Sequence, residues 1–322
     1  MRRVSYVTVA VASALCLTAA GTAAQGYPVK SVRIIVPFPP GGGNDVQGRL
    51  IGKKFQESMG QVFVIENRPG ASGIIGADVV AKAPADGYTV LLTSVVLATS
   101  VTLYKKLPFD PFRDIAPVGQ ISSAAQFLIV HSSVPATSIK DFIALAKKHA
   151  GKMNAGSSGT GTANHLALEM LKQSAGISVT HVPYKGSTPA TLALISGEVD
   201  FSFAGALSAL PHMRSGKLRA LAVTTPGKSA AAPDVPPLAS LYPGFESANW
   251  YAIFVPAGTP VAIVNKISAE IAGALKSPDI RDFMAKEGAE PVGSTPQGFA
   301  TYFRNEVERY AKVIHAGNVR VE

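Results

Sequence analysis

One order of local signals, met twice, constrains this chain more than any other feature. A β-branched run ends in a glycine-rich turn, and a helical pattern follows it. Then come a second strand, a turn combining a basic residue with Gly and Ser/Thr, another helix and a third strand. In the first pass Val32 to Val36 reads as a strand, Asp45 to Met59 as a helix with Val46, Leu50, Ile51 and Phe55 on one face, and Val62 to Glu66 as a strand. Gly73 to Ala83 reads as a helix and Thr89 to Thr93 as the third strand. About 118 residues later the order returns. Lys152 to Ala155 leads into Gly156-Ser157-Ser158-Gly159-Thr160-Gly161, a helix from Thr162 to Ala175, a strand from Val179 to Val182, a helix to Ser196 and a strand from Val199 to Phe203. Strand–helix alternation of this kind builds parallel sheets covered by helices. The expectation is α/β, in two similar lobes, each a mostly parallel sheet flanked by helices.

Two long β-prone stretches, Pro117 to Val130 and Asn249 to Val255, stand where a chain passing between lobes would cross. That divides the chain into lobe one at residues 25–121 plus 250–322 and lobe two at 122–249. Helical patterns at Val261 to Leu275, Pro278 to Lys286 and Pro296 to His315 close it. Two crossings make a hinge, and a hinge between two α/β lobes opens a cleft at the carboxyl ends of their strands.

Arg2 and Arg3 precede an uncharged apolar run from Val7 to Ala20, and Gly21-Thr22-Ala23-Ala24 then supplies small residues. This reads as a signal peptide over residues 1–24, cleaved near Ala24, so the protein is expected to be exported. The single cysteine, Cys16, falls inside that leader, which excludes a disulfide framework and thiol catalysis in the mature chain. The full chain carries 30 Lys and Arg against 21 Asp and Glu, dispersed rather than interleaved with aromatics, which argues against nucleic acid as a partner.

A glycine turn between strand and helix lets backbone N–H groups approach a ligand, and the helix N-terminus adds free donors and partial positive charge. Gly41-Gly42-Gly43-Asn44-Asp45 and Ser157-Ser158-Gly159-Thr160-Gly161 both occupy that position. Neither completes a dinucleotide fingerprint, and Gly227-Lys228-Ser229 has Ala222 where a P-loop needs glycine, so no nucleotide cofactor is expected. No Gly-x-Ser-x-Gly elbow occurs. His165 and Glu169 share a helix face, read as a hydrogen-bonded pair in preference to metal ligands; no metal site is expected. His181 and Trp250 read as structural, and Asp45 either caps its helix or points at a ligand.

Taken together the motifs resemble a known family, the periplasmic solute receptors of tripartite tricarboxylate transporters, called Bug receptors. The resemblance is carried by Val36-Pro37-Phe38-Pro39-Pro40-Gly41-Gly42-Gly43-Asn44-Asp45, Glu66-Asn67-Arg68-Pro69-Gly70-Ala71, Asp86-Gly87-Tyr88-Thr89 and Gly156 to Gly161 with His165-Leu166. It continues through His181-Val182-Pro183-Tyr184-Lys185-Gly186, Gly197-Glu198-Val199-Asp200 and Val255-Pro256-Ala257-Gly258-Thr259-Pro260. It implies a Venus flytrap fold in the periplasm, non-enzymatic and monomeric, that captures a small carboxylate and delivers it to membrane permease subunits. The implied ligand-binding residues are Gly41, Gly42, Gly43, Asn44 and Asp45 with Ser157, Ser158, Gly159, Thr160 and Gly161. Thr93, Ser94, Ala204 and Gly205, at the ends of the third strands, join them by position. Asn44 departs from the Ser or Thr more usual in the family, which leaves the ligand's identity open. The rival readings are a periplasmic enzyme with Asp45 and His165 as acid and base, and a ligand sensor for a signalling partner.

Overall fold

The computed structural model describes residues 26–321, so the leader read at residues 1–24 lies outside the described part. The first unit folds as β1 (Val32–Val36), α1 (Gly43–Met59), β2 (Phe63–Asn67), α2 (Ile74–Ala81), β3 (Thr89–Ser94) and α3 (Val96–Leu103). A 17-residue strand, β4 (Ile115–His131), carries the chain across to α4 (Ile139–Lys148). The second unit repeats the first as β5 (Asn154–Ser157), α5 (Ala163–Ala175), β6 (Thr180–Pro183), α6 (Ser187–Ile195), β7 (Phe201–Gly205) and α7 (Ala206–Arg214). After β8 (Leu218–Val223) the chain returns on β9 (Ala248–Pro256). It ends with α8 (Val261–Ala274), α9 (Pro278–Lys286), the short β10 (Ala289–Pro291) and α10 (Pro296–Ala316).

Strand order is β2-β1-β3-β9-β4-β7-β5-β6, with β8 and β10 also pairing to β4. The trio β2-β1-β3 is parallel, as is β6-β5-β7. These strands lead into the glycine turns, so both turns emerge at carboxyl ends. A chain that leaves a lobe on one strand and re-enters on another crosses the boundary in opposite senses, so β4 and β9 pair antiparallel. Each sheet is therefore mixed, with a parallel part that carries the loops.

Burial follows strand alternation. In lobe one Val32, Ile34 and Val36 point toward Ile51 and Phe55 of α1 and Ile263, Ile267 and Ile271 of α8. Ile35 points the other way, into a core with Ile74 and Val80 of α2 and Phe299, Phe303 and Tyr310 of α10. Lobe two repeats this on β4: Leu128 and Val130 meet α4 and α5, while Phe127 and Ile129 meet α6 and α7.

The hinge lies within β4, whose Ile115 to Ala125 segment pairs with β9 and whose Gln126 to Val130 segment pairs with β7. Thr224, fully buried, ties the two crossings together. Its N–H donates to Gln126 O at 2.9 Å, its Oγ1 accepts from Gln126 N at 3.0 Å and donates to Ser247 O at 2.5 Å, and its carbonyl accepts from Ser247 N at 3.1 Å.

Candidate functional site

The loop after β1 is built around Asp45. Gly41 turns at φ +83, a left-handed conformation that suits glycine, and its N–H donates to Asp45 Oδ2 at 3.0 Å. Arg49 Nε donates to the same oxygen at 3.0 Å and Asn67 Nδ2 to Oδ1 at 3.0 Å. Burial pushes the Asp45 carboxyl up, but the bonds from Arg49, Gly41 and Asn67 more than offset this and hold it below the usual carboxylate range. Both oxygens are thus engaged behind the loop, and Asp45 holds Gly41 in place instead of facing the cleft.

The loop after β5 is buttressed from within. Ser158 N donates to Asn164 Oδ1 at 3.4 Å, Gly159 N to Ser157 Oγ at 3.2 Å and Gly161 N to His165 Nδ1 at 3.0 Å. Ser157 Oγ lies 2.5 Å from His181 Nε2, and the His181 ring stacks on His165 with centroids 3.7 Å apart. His165 Nε2 stands 3.6 Å from Glu169 Oε1, which accepts from Lys172 Nζ at 2.7 Å. Burial, aided by the neighbouring His165, pulls the His181 imidazole down to about 3, so at neutral pH it is an uncharged support. These contacts spend the Gly159 and Gly161 amides on side chains of their own lobe.

The lobes meet crosswise. The second turn of each unit stands against the glycine loop of the other. A Cβ on Gly42 would lie 3.0 Å from Ser187 Oγ, one on Gly159 3.4 Å from Ser72 Oγ, and one on Gly186 3.5 Å from Pro39 Cδ. Thr99 of α3 adds a direct bond, its Oγ1 donating to Gly161 O at 2.8 Å. Gly161 therefore serves as a contact between lobes, and its left-handed φ of +78 suits glycine.

Between these contacts lies a cavity of about 110 Å³. Of the residues expected from sequence, Gly42, Gly43, Asn44, Ser94, Ser158, Ala204 and Gly205 line it. Gly41, Asp45, Thr93, Ser157, Gly159, Thr160 and Gly161 do not; apart from Thr93 and Thr160, the loop contacts above account for them. Thr93 is correctly buried on β3 but lies behind Ser94, because successive strand residues face opposite sides. Sequence reasoning missed Gln126, Asn249 and Tyr251 at the hinge and Ser187, Thr188 and Ser208 at helix starts. The basic-Gly-Ser/Thr turn was a visible signal for Ser187 and Thr188; nothing local marks the others.

Among the described residues no Lys, Arg, His, Asp or Glu lines the cavity. Its donors are hydroxyls, amides and helix N-termini. The residues capping α1, α6 and α7 are Gly42, Gly186 and Gly205, none of which offers a side-chain cap, whereas Ser138 and Thr295 cap α4 and α10 elsewhere. Gly42, Gly43 and Asn44, Ser187 and Thr188, and Ala206 to Ser208 consequently present backbone N–H groups with no hydrogen bond among the described residues. Uncapped helix starts carry partial positive charge. Three of them converge on a cavity with no charged side chain, an electrostatic setting that favours an anion.

Two α/β lobes joined by two strands around such a cavity define the class of bilobal solute-binding proteins. The profile described as "Tripartite tricarboxylate transporter family receptor" (TctC) matches residues 48–319, and the chain belongs to that family. It is 35% identical over 307 residues to Protein BugT of Bordetella pertussis, covering 94% of each chain. Among solved structures it is similar to R. palustris Rpa4515 with adipate, at 35% identity and TM-score 0.88, covering 91% of this chain and 99% of that one. It is also similar to MatC from Rhodopseudomonas palustris with bound malate, at 31% identity and TM-score 0.83, covering 89% and 100%. The fold is that of the periplasmic solute-binding proteins of this family.

Proposed function

We propose that the protein is a periplasmic receptor that captures a small carboxylate between its lobes and presents the closed form to the permease subunits of a tripartite tricarboxylate-type transporter. The observation that carries this reading is the cavity lined by uncapped helix N-termini and hydroxyls with no charged side chain. A carboxylate taken out of water is costly unless its oxygens are fully hydrogen-bonded, and oriented backbone donors supply those bonds. The adipate and malate bound by two similar proteins support the same substrate class. The contacts we propose are Gly42, Gly43 and Asn44 from lobe one, Ser158, Ala204 and Gly205 from lobe two, and Ser94 beneath them, joined by Ser187, Thr188 and Ser208. Lobe one is taken as residues 25–121 plus 250–322 and lobe two as 122–249; the strands exchange partners a few residues from these bounds, at Ala125–Gln126 and Ser247–Ala248. The enzyme reading loses its residues: Asp45 and His165 do not line the cavity, and their polar atoms are engaged elsewhere.

A melting-temperature screen tests the proposal. Mature protein, unfolded and refolded to strip carried-over ligand, is scanned with mono-, di- and tricarboxylates, acidic amino acids, aromatic acids and the amide of each hit. A ligand at 100 times its Kd stabilises by about 2.7 kcal/mol. The expected result is a shift with an acid that disappears on amidation. Shifts from sugars or cations alone would overturn the carboxylate reading.

A further inference from the structure

Tyr251 lies on β9, opposite Ser94 of β3 and Ser122 of β4. Its ring belongs to the lobe-one core and the residue is 8% exposed, yet it lines the cavity. The hydroxyl rests against the first residue of α1: a Cβ on Gly43 would overlap it. That contact accounts for a glycine at the first position of a helix, where a side chain would collide with the phenol. Among the described residues no acceptor takes the hydroxyl's own proton, and the neighbouring N–H groups of Gly42, Gly43 and Asn44 make no backbone hydrogen bond either.

We infer that the Tyr251 hydroxyl is a ligand-binding group that donates to the captured carboxylate, completing a seat whose other half is the first turn of α1. The inference rests on the carboxylate reading above. One carboxylate oxygen takes the α1 amides and the other the phenol, so lobe one grips the acid without a cation. Burial pushes the hydroxyl up to about 12, while the Asn249 side chain beside it acts as a donor toward the phenol oxygen and pulls the other way. The phenol is therefore protonated at neutral pH, with its own proton free to give. A seat made of the α1 N–H groups and the phenol proton suits an ionised acid, both of whose oxygens accept.

The test is calorimetric titration of wild type, Tyr251→Phe, Gly43→Ala and the double variant with malate, adipate and the acids that shift the melting temperature. Tyr251→Phe keeps the buried ring, so the ligand-free Tm is expected to be unchanged while Kd for the acid weakens about tenfold, roughly 1.4 kcal/mol. Gly43→Ala displaces the hydroxyl and is expected to weaken binding comparably. The double variant should be no worse than the poorer single one, because both remove the same bond. Wild-type affinity in Tyr251→Phe, or fully additive losses in the double variant, would overturn the assignment and leave the carboxylate reading standing. Failure of wild type to bind any acid would overturn both.

Discussion

The contact between Gly42 and Ser187 of the other lobe makes Gly42→Val a selective perturbation. Gly42 has φ −86 and ψ 170, extended backbone that valine adopts without strain, so lobe one should fold as before. The added Cβ would stand 3.0 Å from Ser187 Oγ and 3.9 Å from Pro39 O, and the valine methyls reach further toward Ser187. Ser187 belongs to α6 in the other lobe, so the overlap is felt when the cleft is shut and relieved when it opens. Overpacking of this kind costs about 1–3 kcal/mol. Charged to closure alone, that weakens Kd by about 5- to 150-fold at 1.4 kcal/mol per decade. Calorimetric titration with an acid that binds wild type reads the affinity, and the ligand-free Tm reads the fold. Gly42→Ala should fall between wild type and valine. Undiminished affinity in Gly42→Val refutes the closure geometry; a ligand-free Tm that falls by the same free energy shows that the cost fell on folding, and refutes the reasoning as well.

Two further outcomes follow from groups outside the cavity. Trp250 Nε1 donates to Glu306 Oε2 at 3.0 Å in the core beneath α10, and Trp250→Phe leaves that buried oxygen without its partner. We expect a loss of about 1–3 kcal/mol in urea unfolding with Kd unchanged, because Trp250 does not line the cavity. His181, held down to about 3 in the folded state against an ordinary 6.5, stays neutral while the unfolded chain takes up a proton on acidification. Its stabilisation is complete above about pH 6.5 and is lost progressively as pH falls from there toward 3, at up to about 1.4 kcal/mol per pH unit. The urea midpoint of wild type should therefore drop between pH 7 and pH 5 more steeply than that of His181→Gln; equal slopes would refute the buried-neutral assignment.

The strands and helices that carry the glycine loops were legible because their apolar spacing is unbroken and their punctuation is explicit. β1, α1, α5 and α10 fall within a few residues of their expected positions. Three helices were not seen. Val96 to Leu103 is enclosed on most sides, and its buried residues include Thr99 and Ser100 as well as Val96, Leu97, Ala98 and Leu103, so no amphipathic period marks α3. Ala206 to Arg214 contains Pro211, which reads as a break although α7 continues through it. Ile139 to Lys148 does carry signals of a helix, Ser138 as cap and an apolar stripe at Phe142, Ile143 and Ala146, which mark α4 in the sequence. The candidate site was legible only in part. A motif identifies a loop, but residues within it have different roles: Asp45 braces the loop that presents Gly42 and Gly43, while Gly161 is held by His165 of its own lobe and stays out of the cavity. Tyr251 and Asn249 enter from the returning strand, far from either loop in sequence, and only sheet register brings them to the cavity.

The most direct test of the central claim is a crystal structure of the mature protein with the acid that most raises its melting temperature. The carboxylate is expected between the lobes, its oxygens bonded to the N–H groups at the starts of α1, α6 or α7 and to neutral hydroxyls. A ligand carboxylate paired instead with a Lys or Arg side chain, or bound away from the cleft, would contradict the claim.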